Sequence, residues 1–187
     1  MSNRVARTQK QSCSDNTTQR RHKQIPARAG LGGGSSNAAA FLKMVNDELS
    51  LGLTIEELAT IGQEVGADVP FFIYDYSSAN VTGIGEIVEP FDEEPLKITV
   101  YTPDVECNTA EVYKTYRKYY YAPSALQIDK AEKWLTQSSL TLASLLNPEE
   151  ANDLLTPALK RYPELLHERK NGWFFSGSGS SFFTVSE

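Results

Sequence analysis

The spacing of apolar residues predicts two amphipathic helices in the first third of the chain. From Ser36 onward, apolar residues recur every three or four positions, which is the period of a helix face, and Gly52 closes the segment. The positions on this face are Ala39, Leu42, Val45 and Leu49, with Ala38 and Phe41 beside them. A second helix is predicted from Thr54, which forms a capping box with Glu57, to about residue 65, and Gly66 ends it.

Extended segments flank these helices. Residues 25–26 are predicted to end a short strand, and residues 78–88 alternate loosely around two glycines, as the strands of a hairpin do. Residues 67–74 predict a turn that runs into a buried strand or a short helix, because Pro70 restrains the residue before it to extended geometry. The polar stretch 91–95 (FDEEP) then marks a predicted domain boundary.

The second half of the chain predicts a strand, several helices and a final hairpin. Residues 96–102 (LKITVYT) predict the strand. Helical segments are predicted at 110–121, 126–136, 140–146 and 149–168, the last one interrupted near Pro157 and Pro163. Residues 173–175 and 182–185 predict two strands joined by a glycine-rich turn. This order of elements favours the α+β class.

The net charge and the cysteine content limit the partner molecules and the cellular compartment that we expect for this chain. The net charge is −6, but residues 1–24 carry six basic residues and one acidic residue, a net +5, which leaves −11 for the rest. An acidic body argues against nucleic acid as the main partner. No apolar run reaches the roughly 20 residues of a membrane span. The two cysteines form neither a disulfide framework nor a zinc set, so we expect a reducing, cytoplasmic location.

The first 24 residues differ in composition from the remainder. They are basic, rich in Ser and Thr, and lack apolar periodicity, which predicts a disordered or non-native segment; transit peptides share this composition. The expected organisation is therefore a basic segment over 1–24, one domain over 25–92 and a second domain over 93–187.

The stretch Gly30–Gly34 (GLGGG) lies directly before the first predicted helix. A helix begins with unpaired backbone N–H groups and the positive end of its dipole, and glycines let a ligand approach without a Cβ in the way. Together they predict an anion site suited to phosphate. Ser35, Ser36 and Asn37 add hydroxyl and amide groups at the same place.

Two familiar phosphate-binding loops do not fit this stretch. A Walker A loop requires a lysine after the glycines, and the dinucleotide fingerprint requires a glycine where Ser35 stands. A flexible Gly/Ser linker is the plain alternative. The helix with an ordered apolar face directly after the loop argues against a linker.

The segment from Pro26 to Ala39 (PARAGLGGGSSNAA) resembles the second motif of the GHMP kinase superfamily, in the variant of the branch that acts on diphosphocytidyl-methylerythritol. Further segments resemble other motifs in the family's order: the catalytic aspartate segment at 66–72, the hairpin after it at 78–86, a helical motif at 152–154 and the third motif at 176–181. The resemblance covers residues 25–187. It implies a two-domain fold, with an incomplete ribosomal-protein-S5-domain-2-like N-terminal domain and a ferredoxin-like C-terminal domain.

The resemblance also implies an activity. Members of that branch phosphorylate, with ATP, the 2-hydroxyl on the methylerythritol part of a cytidine-diphosphate substrate, in the non-mevalonate route to isoprenoids. The implied cofactors are ATP and Mg²⁺, the implied partner is this small molecule rather than nucleic acid or membrane, and the implied assembly is a monomer or homodimer. Another small-molecule GHMP kinase, or a non-catalytic nucleotide-binding remnant, remains an alternative.

Residue roles follow from the same resemblance. Asp68 is the implied catalytic residue, and Thr109 and Tyr113 are the implied substrate-binding residues, whereas the metal ligands stay unassigned. The implied nucleotide-binding residues are Pro26, Gly30, Leu31, Gly32, Gly33, Gly34, Ser35, Ser36, Asn37, Gly177 and Gly179. From the residues alone, Asp68 could be a turn or capping aspartate, Gly177 and Gly179 an ordinary hairpin turn, and Tyr113 a core residue.

The chain departs from the family pattern at its start. Family members carry a Lys-x-Asn-Leu-type first motif, and residues 1–24 do not resemble it. We therefore expect an N-terminally truncated or altered copy. In such a copy the helix after Ser36 lacks the sheet that it packs against in relatives, which would expose Phe41, Leu42, Val45 and Leu49.

Overall fold

The computed structural model describes residues 25–122 and 125–186, which form an α+β structure with small antiparallel sheets. The predicted α+β class is confirmed. The basic segment 1–24 lies outside the described residues. The helices are α1 (Gly33–Glu48), α2 (Ile55–Val65), α3 (Val69–Tyr74), α4 (Thr109–Tyr119), α5 (Ala125–Trp134), α6 (Ser139–Leu145), α7 (Pro148–Ala151), α8 (Leu155–Arg161) and α9 (Leu165–Glu168). The strands are β1 (Ala79–Thr82), β2 (Ile87–Pro90), β3 (Lys97–Tyr101), β4 (Phe174–Phe175) and β5 (Phe182–Ser186).

The first part of the fold packs α1, α2 and α3 around one small core. Its buried residues are Ala39, Leu58, Ala59, Val69 and Ile73. Gly62, in the middle of α2, allows the close approach of α3, because a Cβ there would lie 2.6 Å from the Ile73 side chain. The strands β1 and β2 pair antiparallel after α3, so the predicted hairpin is confirmed.

The capping box that starts α2 is present. The Thr54 hydroxyl accepts from the Glu57 N–H at 3.2 Å, and the Glu57 carboxylate accepts from the Thr54 N–H at 2.9 Å. These two bonds satisfy backbone donors that have no partner inside the helix. The helix ends at Val65, as predicted.

The second part of the fold places helices beside a three-stranded antiparallel sheet of order β3-β5-β4. Tyr101 pairs with Phe182, and Phe182 pairs in turn with Phe175 on β4. Phe182 and Phe175 enter the larger core of the molecule. The other buried members of this core are Cys107, Val112, Leu155, Ala158 and Leu165. The short hairpin of β4 and β5 thereby anchors the glycine-rich turn between them to a packed core.

Of the two breaks predicted in the helix over 149–168, the first, near Pro157, is wrong. The chain forms three short helices, interrupted at residues 152–154 and 162–164, and Pro157 lies inside the first turn of α8. A proline costs little there, because the first N–H groups of a helix have no intrahelical acceptor. The second predicted break, near Pro163, is confirmed.

The start of the described chain also differs from expectation. Residues 25 and 26, predicted to end a strand, do not lie in a strand. The first helix begins at Gly33 rather than at Ser36, because the last two glycines of the loop already have helical geometry. It ends at Glu48, a turn follows at residues 49–50, and Gly52 lies after that turn with φ +68°.

The expected exposure of α1 is partly confirmed. Phe41 is 50% exposed and Leu49 is 67% exposed. Leu42, in contrast, packs against the small core formed with α2 and α3, and Val45 is half-buried. Within the described ranges, no helix has the length and apolar character that crossing a membrane requires.

Glu93 joins the two parts at the predicted boundary of residues 92 and 93. Its carboxylate accepts from the Ser78 hydroxyl at 2.6 Å, from the Ser139 hydroxyl at 2.5 Å and from the Ser139 N–H at 2.8 Å. Burial raises the pKa of Glu93, but the hydrogen bonds from Ser139 and Ser78 outweigh it, so its pKa lies below the ordinary 4.5. The ionised carboxylate therefore stabilises the folded state.

This arrangement predicts acid sensitivity at Glu93. Because the folded-state pKa is lowered, the stabilisation is complete above pH 4.5 and is lost as the pH falls through the folded-state value. We expect Glu93→Gln to lower the free energy of unfolding by about 1 kcal/mol at neutral pH, a reduced value because the side chain is half-exposed. Urea denaturation from about pH 7 to about pH 3 measures this difference, which should shrink with the pH.

Glu94→Gln is the matched control, because Glu94 is the neighbouring exposed carboxylate. It should leave stability nearly unchanged at every pH. A constant difference between Glu93→Gln and the unmodified chain over the whole pH range would contradict the role of Glu93.

Candidate active site

The glycine stretch and the start of α1 form an open helix N-terminus. Gly32 occupies the N-cap position with φ +64° and provides no side-chain cap, and the first turn carries no acidic residue. The first helical hydrogen bond runs from Ser36 N–H to the Gly32 carbonyl at 2.8 Å. Among the described residues, no acceptor binds the N–H groups of Gly33, Gly34 and Ser35. The backbone donors at the positive end of this 16-residue helix are thus left without acceptors.

Two glycines of the loop are required by close contacts as well as by positive φ. A Cβ at Gly30 (φ +72°) would lie 2.1 Å from the Ser176 carbonyl oxygen. A Cβ at Gly32 would lie 2.6 Å from the ring of Phe72, on α3. Gly34, in contrast, has no neighbour within 4 Å and leaves open space at the helix start. The loop therefore packs against Ser176 at Gly30 and against α3 at Gly32, whereas it is open at Gly34.

Asp68 lies next to this helix start. The Ser35 hydroxyl donates to Asp68 Oδ1 at 2.7 Å, across 33 residues of sequence. Asp68 occupies the N-cap position of α3, but its side chain makes no capping hydrogen bond, so the capping alternative is wrong. The carboxylate is exposed, and its second oxygen has no hydrogen-bond partner among the described residues.

The turn Ser176–Ser181, which we call the glycine turn, packs directly on the loop. The Ser176 hydroxyl donates to the Gly30 carbonyl at 2.8 Å, and Ser181 N–H donates to the Ala29 carbonyl at 3.0 Å. A Cβ at Gly177 would lie 3.2 Å from the Gly30 carbonyl oxygen, and Gly177 and Gly179 both have positive φ. The structure thus brings together two glycine segments that are far apart in sequence.

Thr109 lies beside the glycine turn, and Tyr113 lies one helical turn further along α4. The Thr109 hydroxyl is hydrogen-bonded to the Ser178 hydroxyl at 2.9 Å. The Tyr113 side chain is 48% exposed, so the alternative of a core residue is wrong. Tyr113 lies on an exposed face of α4 together with Ala110, Lys114, Arg117 and Lys118.

The remaining predicted residues occupy peripheral positions of the loop. Pro26 is exposed at its beginning, and Leu31 is half-buried. The Ser36 hydroxyl donates to the Gly33 carbonyl at 3.3 Å, so it is turned back onto the helix, and the Asn37 side chain is exposed. In the described ranges, no group of three or more His, Cys, Asp or Glu residues could hold a metal ion.

Two residues at this site were not assigned a role from the sequence. Asn152 donates to the carbonyls of Phe175 and Gly177, at 2.9 Å each. Arg28, which has φ +58°, forms an ion pair with Glu106 at 3.1 Å beside the loop. Asn152 belongs to the segment 152–154, which resembles a family motif. That resemblance marked the segment but did not indicate what the Asn152 side chain binds. No sequence pattern indicated the ion pair.

Comparison with known proteins gives consistent matches. The family described as GHMP kinases N terminal domain matches residues 4–76. The 4-diphosphocytidyl-2-C-methyl-D-erythritol kinase of Sulfurimonas denitrificans is 54% identical over 166 residues, which cover 88% of this chain and 61% of that protein. The kinase of the same name from Helicobacter acinonychis is 44% identical over 169 residues, covering 87% of this chain and 61% of the relative.

A solved structure agrees with these relatives. The crystal structure of a 4-(cytidine 5'-diphospho)-2C-methyl-D-erythritol kinase superposes with a TM-score of 0.64 at 32% sequence identity, over 88% of this chain and 60% of that one. The chain spans about three fifths of the length of the relatives that it matches. The sequence and the structure of this chain are therefore both similar to those of GHMP kinases.

Proposed function

We propose that the chain carries out ATP-dependent phosphorylation of the 2-hydroxyl of 4-diphosphocytidyl-2-C-methyl-D-erythritol, a step of the non-mevalonate route to isoprenoid precursors. The observation that carries the proposal is the hydrogen bond between Ser35 and Asp68, which places a carboxylate beside an uncapped helix N-terminus. The names of the relatives support the choice of substrate. A cytoplasmic location and a monomer or homodimer belong to the same proposal.

The open helix start fits a polyphosphate. Uncompensated N–H groups of Gly33, Gly34 and Ser35 would donate to phosphate oxygens, and the absence of a side chain at Gly34 leaves room for them. The hydroxyl of Ser35 lies at the same helix end. When bound with the nucleotide, Mg²⁺ would neutralise the negative charge of the phosphates, and oxygen groups such as the Ser35 hydroxyl suit it as ligands.

Asp68 would orient the attacking hydroxyl and take up its proton. The Ser35 hydrogen bond fixes Oδ1, so the other carboxylate oxygen stays free to accept from a substrate hydroxyl. Phosphoryl transfer depends mainly on positioning and on charge stabilisation, and a general base assists it as the transfer proceeds. The same residue would therefore hold the substrate and accept its proton.

The surface of α4 would bind the cytidine part of the substrate. Thr109 adjoins the glycine turn through Ser178, and Tyr113 lies one helical turn further along α4, on its exposed face. An exposed aromatic ring can stack on a base. Lys114 and Arg117, on the same face of α4, would place positive charge close to the diphosphate.

A turnover assay with Mg²⁺ and ATP tests this proposal. We expect phosphorylated product with the diphosphocytidyl substrate and little product with homoserine, galactose or mevalonate. Product only with another alcohol would indicate a different small-molecule GHMP kinase. Saturable ATP binding without any product would indicate a nucleotide-binding remnant and would contradict the proposed activity.

A further inference from the structure

Asn152 lies between α7 and α8, and its side chain reaches the glycine turn. Its Nδ2 group donates to the Phe175 and Gly177 carbonyls, both at 2.9 Å, and its Oδ1 accepts from Leu154 N–H at 2.9 Å. An asparagine amide has two donor and two acceptor positions, so three of the four are used. One side chain thus links the start of α8 to two alternate carbonyls of the turn.

The hydrogen bonds to these two carbonyls fix the backbone orientation at the point where the turn follows β4. Because the same amide group binds both, the carbonyls of Phe175 and Gly177 must face the same side of the chain. The residue between them, Ser176, then presents its hydroxyl to the Gly30 carbonyl. Ser181, at the far end of the turn, donates its N–H to Ala29. The segment 175–181 is therefore bonded to Asn152 through the Phe175 and Gly177 carbonyls, and to residues 29 and 30 through the Ser181 N–H and the Ser176 hydroxyl.

We infer that Asn152 is a positioning residue of the nucleotide site: it holds the glycine turn against the loop Gly30–Gly34 and thereby sets the affinity of the loop for polyphosphate. The glycines at 177 and 179 leave the turn with high backbone freedom, and one side-chain hydrogen bond, from Ser176, links it to Gly30. Anchoring by Asn152 removes that freedom before the ligand arrives. The inference rests on the proposed nucleotide function of the loop.

Amide hydrogen exchange and ATP titration test this inference on the same samples. We expect Asn152→Ala to speed exchange of the Ser181 and Gly179 N–H groups about tenfold or more, and to raise the dissociation constant for ATP by about tenfold. Asn152→Asp keeps the acceptor for Leu154 N–H but loses both donors. The Asn152→Asp variant should therefore show the same faster exchange of the Ser181 N–H as Asn152→Ala. If Asn152 served only to start α8, the Ser181 N–H in Asn152→Asp would exchange as in the unmodified chain.

Asn46→Ala is the matched control. Asn46 also donates to and accepts from one backbone segment, since its amide binds both the carbonyl and the N–H of Leu53, far from the glycine turn. This variant should speed exchange at Leu53 alone and leave ATP affinity unchanged. It therefore shows how much the loss of an asparagine that only bonds local backbone changes amide exchange and ATP affinity.

The possible outcomes separate this inference from the proposed function. Unchanged exchange at Ser181 in Asn152→Ala and Asn152→Asp would overturn the positioning role, whether or not ATP binds. Faster exchange with unchanged ATP affinity would overturn the link between the turn and the loop. Faster exchange in a chain that never binds ATP would overturn the proposed function while supporting the anchoring of the turn by Asn152.

Discussion

Asp68→Asn is expected to lower the rate of phosphoryl transfer by about 10²–10⁴-fold, the usual contribution of a general base. Asparagine has the same shape and keeps an oxygen that accepts from the Ser35 hydroxyl, so the local geometry should survive. It cannot take up a proton at neutral pH. Turnover measured at saturating ATP should therefore fall, whereas the dissociation constant for ATP should change little.

Asp75→Asn provides the control on the same helix. Asp75 lies at the other end of α3, is exposed, and forms an ion pair with Lys43 at 3.7 Å. Asparagine also tolerates its left-handed conformation (φ +58°). Turnover in this variant should equal that of the unmodified chain. If Asp68→Asn kept more than about a tenth of the turnover, the role of Asp68 as proton acceptor would be wrong.

Gly30→Ala is expected to separate the loop from the glycine turn. The added Cβ would lie 2.1 Å from the Ser176 carbonyl oxygen and 3.0 Å from backbone atoms of Gly179, and a backbone cannot move aside as a flexible side chain can. The positive φ adds strain. Overpacking and the left-handed conformation together predict a loss of about 2–5 kcal/mol in the free energy of unfolding, measured by urea denaturation.

The variant Gly52→Ala separates the effect of the close contact from the effect of the left-handed conformation. Gly52 has nearly the same φ (+68°), but a Cβ there would meet no atom within 4 Å. We expect a loss of about 1 kcal/mol, from the left-handed conformation alone. The ATP dissociation constant should rise at least about tenfold in Gly30→Ala and stay constant in Gly52→Ala. Equal effects of both substitutions would contradict the contact between loop and turn.

The local parts of the site could be predicted from the sequence. The helix after the glycine loop and the capping box at Thr54 depend on neighbours a few residues away, and these two predictions are confirmed. The exact start of α1 was missed, because glycines favour a loop in isolation and the helical geometry of Gly33 depends on the packed helix that follows.

The contacts between distant segments could not be predicted from residue patterns alone. The Ser176 hydroxyl meets the Gly30 carbonyl across 146 residues, and periodicity carries no information on such a pair. Asn152 is a similar case, since an asparagine between two short helices suggests a turn and its partners lie on β4 and the glycine turn. The resemblance to a family assigned the glycine loop and the glycine turn to one nucleotide site, but it did not indicate which of their atoms are in contact.

The central claim is that the open N-terminus of α1 binds the phosphates of ATP, and amide chemical shifts during titration with Mg²⁺ and ATP test it most directly. The account predicts that the N–H signals of Gly33, Gly34 and Ser35 move furthest and saturate together, with smaller changes at the glycine turn. Saturable ATP binding that leaves these three signals in place would contradict it.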